Sequence, residues 1–292
     1  MKRRQKENLI QGFFCGLSLC SILFLLGIVI VLFKEGLPIF NVISFGKLFF
    51  GKFWYPTYEP ADFGMLPLIL GSLMVTVGAL IISVPLGVAS AIYISEVAHP
   101  KGKEFVKLLI ELLAGVPSVV YGFFGMVFLA PLVQNFFGLP VGLNAFTAAI
   151  LLGVMAIPTI TSVSEDAISA VPESFKEASY ALGANRWETT VKITLPAAMG
   201  GISTGIILGM GRAVGETMTV LMVAGGAAVI PHSFFEPVRT MTATIAAEMG
   251  ETVVGGEHFH ALFAIAIVLF LMTLTFNIIA DFLSQRFRRR LR

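Results

Sequence analysis

Apolar residues run along this chain in long, nearly unbroken stretches rather than in the amphipathic rhythm of a soluble domain. A helix needs about 20 mostly apolar residues to cross a bilayer. Six stretches approach or exceed that length: 12–33, 66–94, 108–133, 146–162, 197–230 and 259–283. The fourth is short and holds Pro158, and the fifth is long and rich in glycine, so their ends are the least sharply defined. The pattern predicts an all-α polytopic membrane protein of about six transmembrane helices, forming one domain over 1–292.

Composition sharpens this picture. Hydrophobic residues make up 56% of the chain and charged residues 13%, against about 25% charged in a soluble domain. The basic residues sort by side. With both termini in the cytoplasm of a bacterium or archaeon, Lys2, Arg3, Arg4, Lys6, Lys101, Lys103, Lys107, Lys176, Arg186, Lys192, Arg286, Arg288, Arg289, Arg290 and Arg292 all fall inside. Lys34, Lys47, Lys52 and Arg239 fall outside, and Arg212 lies within a span. Such an inward excess sets membrane orientation, so the net charge of +2 carries no message about nucleic acid. The first apolar run is longer than the 7–15 residues of a signal peptide and no A-x-A site follows it, so it is expected to be retained as a span. Cys15 and Cys20 lie within it as small apolar fillers.

Between the spans, the first outer loop, 34–65, is crowded with aromatic residues, among them Phe40, Phe45, Phe49, Phe50, Phe53, Trp54, Tyr55 and Tyr58, and is expected to lie at headgroup level. The last outer loop, 231–258, carries Glu236, Glu248, Glu251 and Glu257 against Arg239. None of the Gly-Lys pairs fits G-x-x-x-x-G-K-[ST], so the chain has no P-loop of its own.

The segment 163–196 reads as a water-exposed loop inside a membrane protein. Pro172-Glu173 makes a good first helical turn, Phe175, Ala178, Ser179 and Leu182 recur at helical spacing, and Gly183 can take the positive φ that ends a helix. A second short helix, 186–192, is expected to turn back to the membrane at Leu195-Pro196. The competing reading is an amphipathic helix on the bilayer surface, held by Lys176, Arg186 and Lys192.

Chemistry concentrates in the third and fifth stretches. Arg212 and Glu216 stand four apart, a spacing that lets them pair on one helix face. Ionised groups at bilayer depth cost about 2.5–3.5 kcal/mol each and usually face a bundle interior or a water-filled path. The guanidinium offers a planar fork of donors suited to a tetrahedral oxyanion; a buried pair that only fixes packing is the alternative. Gly201, Gly205, Gly209 and Ala213, and likewise Gly211 and Gly215, form small-residue stripes that allow close helix approach. The G-x-S-x-G at 201–205 suggests a serine hydrolase, but His232, His258 and His260 belong to the opposite side of the membrane, far beyond the roughly 3 Å a nucleophile needs from its base. Gly115-Val116-Pro117-Ser118-Val119-Val120-Tyr121-Gly122 interrupts the third stretch, either to present the Ser118 and Tyr121 hydroxyls to a polar substrate or as a plain kink. Glu111 is placed to meet Lys107 one turn earlier.

Glu177-Ala178 with Gly183 and then Ile193-Thr194-Leu195-Pro196 resembles the loop by which permeases of ABC importers dock onto their ATPase. Together with 85–96, 111–122 and Arg212-Ala213-Val214-Gly215-Glu216-Thr217-Met218, nearly the whole chain resembles the PstC-type permease of the phosphate ABC importer. That resemblance implies the type I ABC importer permease fold and a heterodimer with a PstA-type permease. It further implies a homodimeric PstB-type ATPase that uses ATP and Mg, and a PstS-type phosphate-binding protein. No cofactor or catalytic site is expected in this chain. On the same basis Arg212, Glu216, Thr217, Ser118 and Tyr121 line the substrate pathway, and Glu177, Ala178, Gly183, Ile193, Leu195 and Pro196 dock the ATPase. The sister PstA-type permease shares several of these themes, and sulfate or molybdate are alternative substrates.

Overall fold

The computed structural model describes the backbone of residues 2–289 and the side chains of residues 10–282; the terminal basic clusters used above for orientation lie outside the described side chains. In chain order, α1 (Lys2–Gly36) leads through a 3-10 turn (Leu37–Asn41), α2 (Phe45–Phe50) and a small antiparallel hairpin of β1 (Trp54–Tyr55) and β2 (Asp62–Phe63) into α3 (Leu66–Ile92). Then come α4 (Pro100–Gly115), α5 (Ser118–Phe124), α6 (Ala130–Phe137) and α7 (Ala145–Ser169), followed by the short α8 (Glu173–Ala181) and α9 (Arg186–Thr189). The chain continues through α10 (Leu195–Gly215), α11 (Met218–Val223) and α12 (Met241–Glu248) to α13 (Glu257–Arg289). Among the described residues, six helical segments are long and apolar enough to cross a membrane, as the hydropathy pattern predicts.

Helix α7 is the centre of the bundle, with α3 on one side and α10 on the other, and most of its small and aliphatic residues are buried. Without a hydrophobic drive between helices in lipid, such packing rests on close van der Waals approach. A Cβ added at Gly78 would meet Ala149 at 2.8 Å and one at Gly87 would meet Ile160 at 2.8 Å, so α3 touches α7 through its glycines. The Thr161 hydroxyl donates to the Gly87 carbonyl at 3.1 Å across the same contact. On the other side Gly201 rests on Ala167, Gly209 on Ile160, and Gly205 on Ser164. This is one of the two expected stripes; the other, Gly211 and Gly215, meets no other part of this chain within 4 Å.

Span ends also depart from the hydropathy reading. The third span begins at Ser118 rather than 108, because the backbone is extended at Val116 and Pro117 and leaves α4 as a separate amphipathic helix with no buried residue. The fifth does not run to 230: α10 stops at Gly215, and α11 is a short helix beyond a break. The fourth reaches Ser169, which shortens the loop that follows. Nor does the chain turn at Leu195-Pro196. A proline clashes with the carbonyl four residues back, and here the turn just before it, Thr190–Thr194, opens to π geometry so that α9 flows into α10. The same device, a π turn at Gly125–Leu129, precedes Pro131 and lets the third span continue.

The first outer loop folds part of its aromatic and aliphatic side chains inward against the bundle. Ile39, Leu48, Trp54 and Phe63 are all at most 3% exposed and pack with Met65, Met241, Leu262 and Ile265 into an apolar cap over α3, α12 and α13. Phe45, Phe50, Phe53 and Tyr58 remain exposed.

The contrast between the two stripes is testable with the permease expressed alone in detergent. Gly201→Ala would place its methyl 2.2 Å from the Ala167 Cβ, an overpacking expected to cost about 1–3 kcal/mol. Gly211→Ala meets nothing within 4 Å and should be neutral or slightly stabilising, since alanine is the better helix former by about 1 kcal/mol. Equal melting temperatures for the two variants would contradict this packing.

Candidate functional site

Two helix breaks meet at the heart of the candidate site. At the first, Pro117 has no N–H to offer the carbonyl of Leu113, four residues back. The Tyr121 hydroxyl supplies the missing donor, reaching Leu113 O at 2.8 Å, while the Val116 N–H approaches the same oxygen at 3.4 Å. The Tyr121 hydroxyl is thus engaged within the chain rather than turned outward. Ser118 opens α5 with its hydroxyl making no hydrogen bond among the described residues.

At the second break Glu216 is extended (φ −71°, ψ 129°). Its carboxylate turns forward and accepts from the Thr219 N–H at 3.3 Å, serving one of the free amides at the start of α11. Its own carbonyl accepts from the Thr242 hydroxyl of α12 at 3.0 Å. Thr217 folds back, donating to the Gly215 carbonyl at 3.3 Å. The breaks are tied to each other by the Thr219 hydroxyl, which donates to the Ser118 carbonyl at 2.9 Å.

Arg212 does not pair with Glu216, contrary to the expectation from their spacing. The i, i+4 geometry requires a continuous helix, and α10 ends between them. Arg212 is half-buried in the last turn of α10 and forms no ion pair or hydrogen bond among the described residues. It lies near enough to Tyr121 for its charge to act on the phenol. Arg212, Ser118, Tyr121, Glu216 and Thr217, all singled out from the sequence, therefore cluster at one place in the fold.

The segment between α7 and α10 is a compact pair of short helices. Gly183 takes φ +85° after α8, and Asn185 and Glu188 form a reciprocal capping box at the start of α9. Ser179 and Thr189 share a hydrogen bond at 2.9 Å that clips the two helices together. What this leaves outside is unusual for a water-facing loop: Leu182 is 90% exposed, Trp187 68% and Phe175 53%. Glu177, Ala178 and Gly183 lie on the same exposed segment, and Ile193, Leu195 and Pro196 are half-buried where it joins α10. Exposed apolar groups of this kind mark a contact surface.

Sequence reasoning missed the ion pairs that anchor this end of the molecule. Glu165, 5% exposed in its side chain, lies 2.9 Å from Lys103 and 3.1 Å from Lys107 and also accepts from Ser169 at 3.1 Å. Lys107 therefore turns to Glu165 rather than to Glu111. Hydrogen bonding and charge from Glu165 hold the Lys107 ammonium above its ordinary pKa. Lys176 Nζ sits 2.9 Å from Glu96, an ion contact rather than an aligned hydrogen bond, since the carboxylate oxygen is otherwise unbonded. Burial pulls the Lys176 pKa down, yet the Glu96 carboxylate outweighs it and the net shift is upward. Both lysines stay charged at neutral pH. Extending the apolar spacing of the fourth stretch past Ser162 to Ile168 would have placed Glu165 on a buried helix face. At the opposite end, Glu248 gathers the Trp54 indole N–H at 3.0 Å, Arg239 at 2.6 Å and His258 at 2.9 Å.

Comparison with known proteins bears on this geometry. Residues 83–292 match the family described as binding-protein-dependent transport system inner membrane component, and the chain belongs to that family. It is 42% identical over 80% of its length to the probable ABC transporter permease protein YqgH of Bacillus subtilis, covering 75% of that protein. It is 34% identical over 89% of its length to the phosphate transport system permease protein PstC of Mesorhizobium japonicum, covering 84% of it. Among solved structures, a bacterial alginate ABC transporter in complex with an alginate pentasaccharide-bound periplasmic protein superposes with a TM-score of 0.68 at 16% identity, covering 98% of this chain and 96% of that one. The inward-facing MetNI methionine ABC transporter gives 0.56 at 16% identity, over 76% and 94%. These likenesses establish the fold of an ABC importer permease.

The bond joining the two breaks can be removed without changing side-chain shape. Thr219→Val should cost about 1 kcal/mol, the net worth of a typical hydrogen bond, and lower the melting temperature of the purified permease. An unchanged melting temperature would mean that the breaks are held together by something other than this link.

Proposed function

We propose that this chain is a PstC-type permease subunit of an ATP-driven phosphate importer, supplying half of the translocation pathway. The observation that carries the reading is Arg212: a guanidinium without a partner among the described residues, at the end of α10 where the second break begins, in a chain that covers most of the length of PstC relatives. A charge at bilayer depth is costly unless something answers it. A tetrahedral oxyanion passing through would do so in bidentate fashion. The Ser118 hydroxyl, without a hydrogen bond among the described residues, belongs to the adjoining break, and Glu216, occupied in capping α11, leaves the guanidinium available instead of neutralising it.

The partners follow from the same reading. A PstA-type permease would complete the pathway, a PstS-type protein would deliver phosphate from outside, and a homodimeric PstB-type ATPase would bind ATP with Mg. The exposed Phe175, Leu182 and Trp187 around Glu177, Ala178 and Gly183 are where that ATPase would seat, with Ile193, Leu195 and Pro196 carrying its movement into α10. Both termini and the segment 170–194 face the cytoplasm in this arrangement. Sulfate and molybdate present a similar arrangement of oxygens, so the choice of phosphate rests on the relatives.

The docking role has two separable tests. A cysteine at Leu182 should react with an impermeant reagent in inside-out vesicles but not in intact cells. Gly183→Val, strained at φ +85°, should still insert in the membrane while recovery of the ATPase on co-purification falls several-fold. Labelling in intact cells would invert the topology, and full recovery with Gly183→Val would remove the docking assignment.

For the pathway, Arg212→Lys keeps the charge and loses the fork, so it should retain at most weak phosphate uptake in the assembled complex, and Arg212→Gln none. Glu216→Gln still presents an oxygen to Thr219 and should leave assembly intact. Near-normal uptake by Arg212→Gln would show that the anion does not meet this residue, and uptake of sulfate in preference to phosphate by the unmodified complex would reassign the substrate.

A further inference from the structure

The charged contacts around α4 have no part in binding substrate, yet they connect the exposed docking segment to the helix break. Lys176 of α8 holds Glu96 in the π turn (Tyr93–Val97) that ends α3, and both side chains are only 12–13% exposed. A few residues on, Lys103 and Lys107 of α4 hold Glu165, which is fixed in the buried face of α7. The turn between α3 and α4 is therefore gripped from the docking segment on one side and from the bundle centre on the other.

Within this chain, α4 is held to α7 by Lys103 and Lys107 on Glu165. It has no buried residue, and a cavity of about 90 Å³ lies between it and α7, lined by Ile110, Glu111 and Ala114 on one side and Pro158, Thr161 and Ser162 on the other. A rod of 16 residues spans about 24 Å. Its far end is Gly115, beside the Pro117 break that Thr219 ties to Glu216 and α11.

We propose that α4 is a lever between the docking segment and the pathway, with Glu165 as its fulcrum and the Lys176–Glu96 contact as its handle. The proposal rests on the assignment of 170–194 as the ATPase-docking segment. Displacement of α8 draws Glu96 and the start of α4 with it. Pinned at Glu165 and free to tilt over the cavity, α4 then moves its other end at Val116-Pro117. Lys176 and Glu96 are positioning residues in this scheme, since neither reaches the pathway.

The test uses the complete importer with spin labels at Leu112 on α4 and Leu208 on α10, both exposed, and reads their separation by pulsed electron paramagnetic resonance without nucleotide and with ATP trapped. In otherwise unmodified protein the separation should change between the two states. Lys176→Glu and Glu96→Gln should each abolish that change and lower uptake per ATP hydrolysed by about tenfold, within the usual range of coupling energies. ATPase recovery and hydrolysis should stay close to normal. The reversed pair, E96K with K176E, should restore the change. A label separation that still responds in Glu96→Gln, a reversed pair that fails to restore it, loss of the ATPase from Glu96→Gln, or no change in the unmodified complex while it hydrolyses ATP would each overturn the lever. The label readout needs no substrate, so failure of the phosphate assignment is seen separately, in the uptake assay of the unmodified complex.

Discussion

At bilayer depth each backbone amide and carbonyl must be satisfied by the protein, because hydrocarbon offers neither donor nor acceptor. The whole arrangement of this chain around its breaks answers that constraint. Where Pro117 withdraws a donor, Tyr121 replaces it at Leu113; where α10 ends, Glu216 and Thr242 serve the amides and carbonyls of the gap. Thr219 then closes one break onto the other. Side chains that solve a local bonding problem thereby hold two interruptions in register, and a half-buried arginine is left beside them with its donors unused.

The same constraint bears on two further prolines. Pro131 and Pro196 sit inside membrane segments without ending them, because each is preceded by a turn opened to π geometry that makes room for the ring. Pro117 has no such turn before it, and there the helix does end. Pro85 and Pro158 lie inside α3 and α7 with no such turn before them, and those helices continue as well. At Pro117 the helix ends because the backbone is extended at Val116 (ψ 127°) and Pro117 (ψ 141°), not because a proline is present.

Hydropathy made the number of spans and their approximate positions legible, because burial in lipid is set by composition over some 20 residues. Gly183 was legible too, since its conformation follows from local helix ending. Break positions and pairings were not. Arg212 and Glu216 have the spacing of a helical pair, but spacing tells nothing about whether the helix survives between them. Gly201 and Gly211 lie on the same helix and are indistinguishable by composition, yet one touches Ala167 and the other meets no other part of this chain within 4 Å. Lys107 has an acid four residues away in Glu111 and instead uses Glu165, 58 positions along the chain. Nor was the partial burial of the aromatic outer loop legible, because it depends on a surface made by α3, α12 and α13 that no local pattern reveals.

An arginine with no ion pair or hydrogen bond among the described residues suits the pathway role proposed for it. A guanidinium locked to Glu216 would have to exchange that carboxylate for the anion, so the two would compete for the same donors. A fully hydrated one would hold nothing. Directing Glu216 to the Thr219 amide removes the competing carboxylate from Arg212. Binding at such a place can be favourable enough to admit an anion and weak enough to release it when the break moves. Because the Thr219 hydroxyl ties the break at Glu216 to the one that α4 abuts, the surroundings of Arg212 and the position of α4 are linked through that bond. Movement of that link would alter affinity and access together.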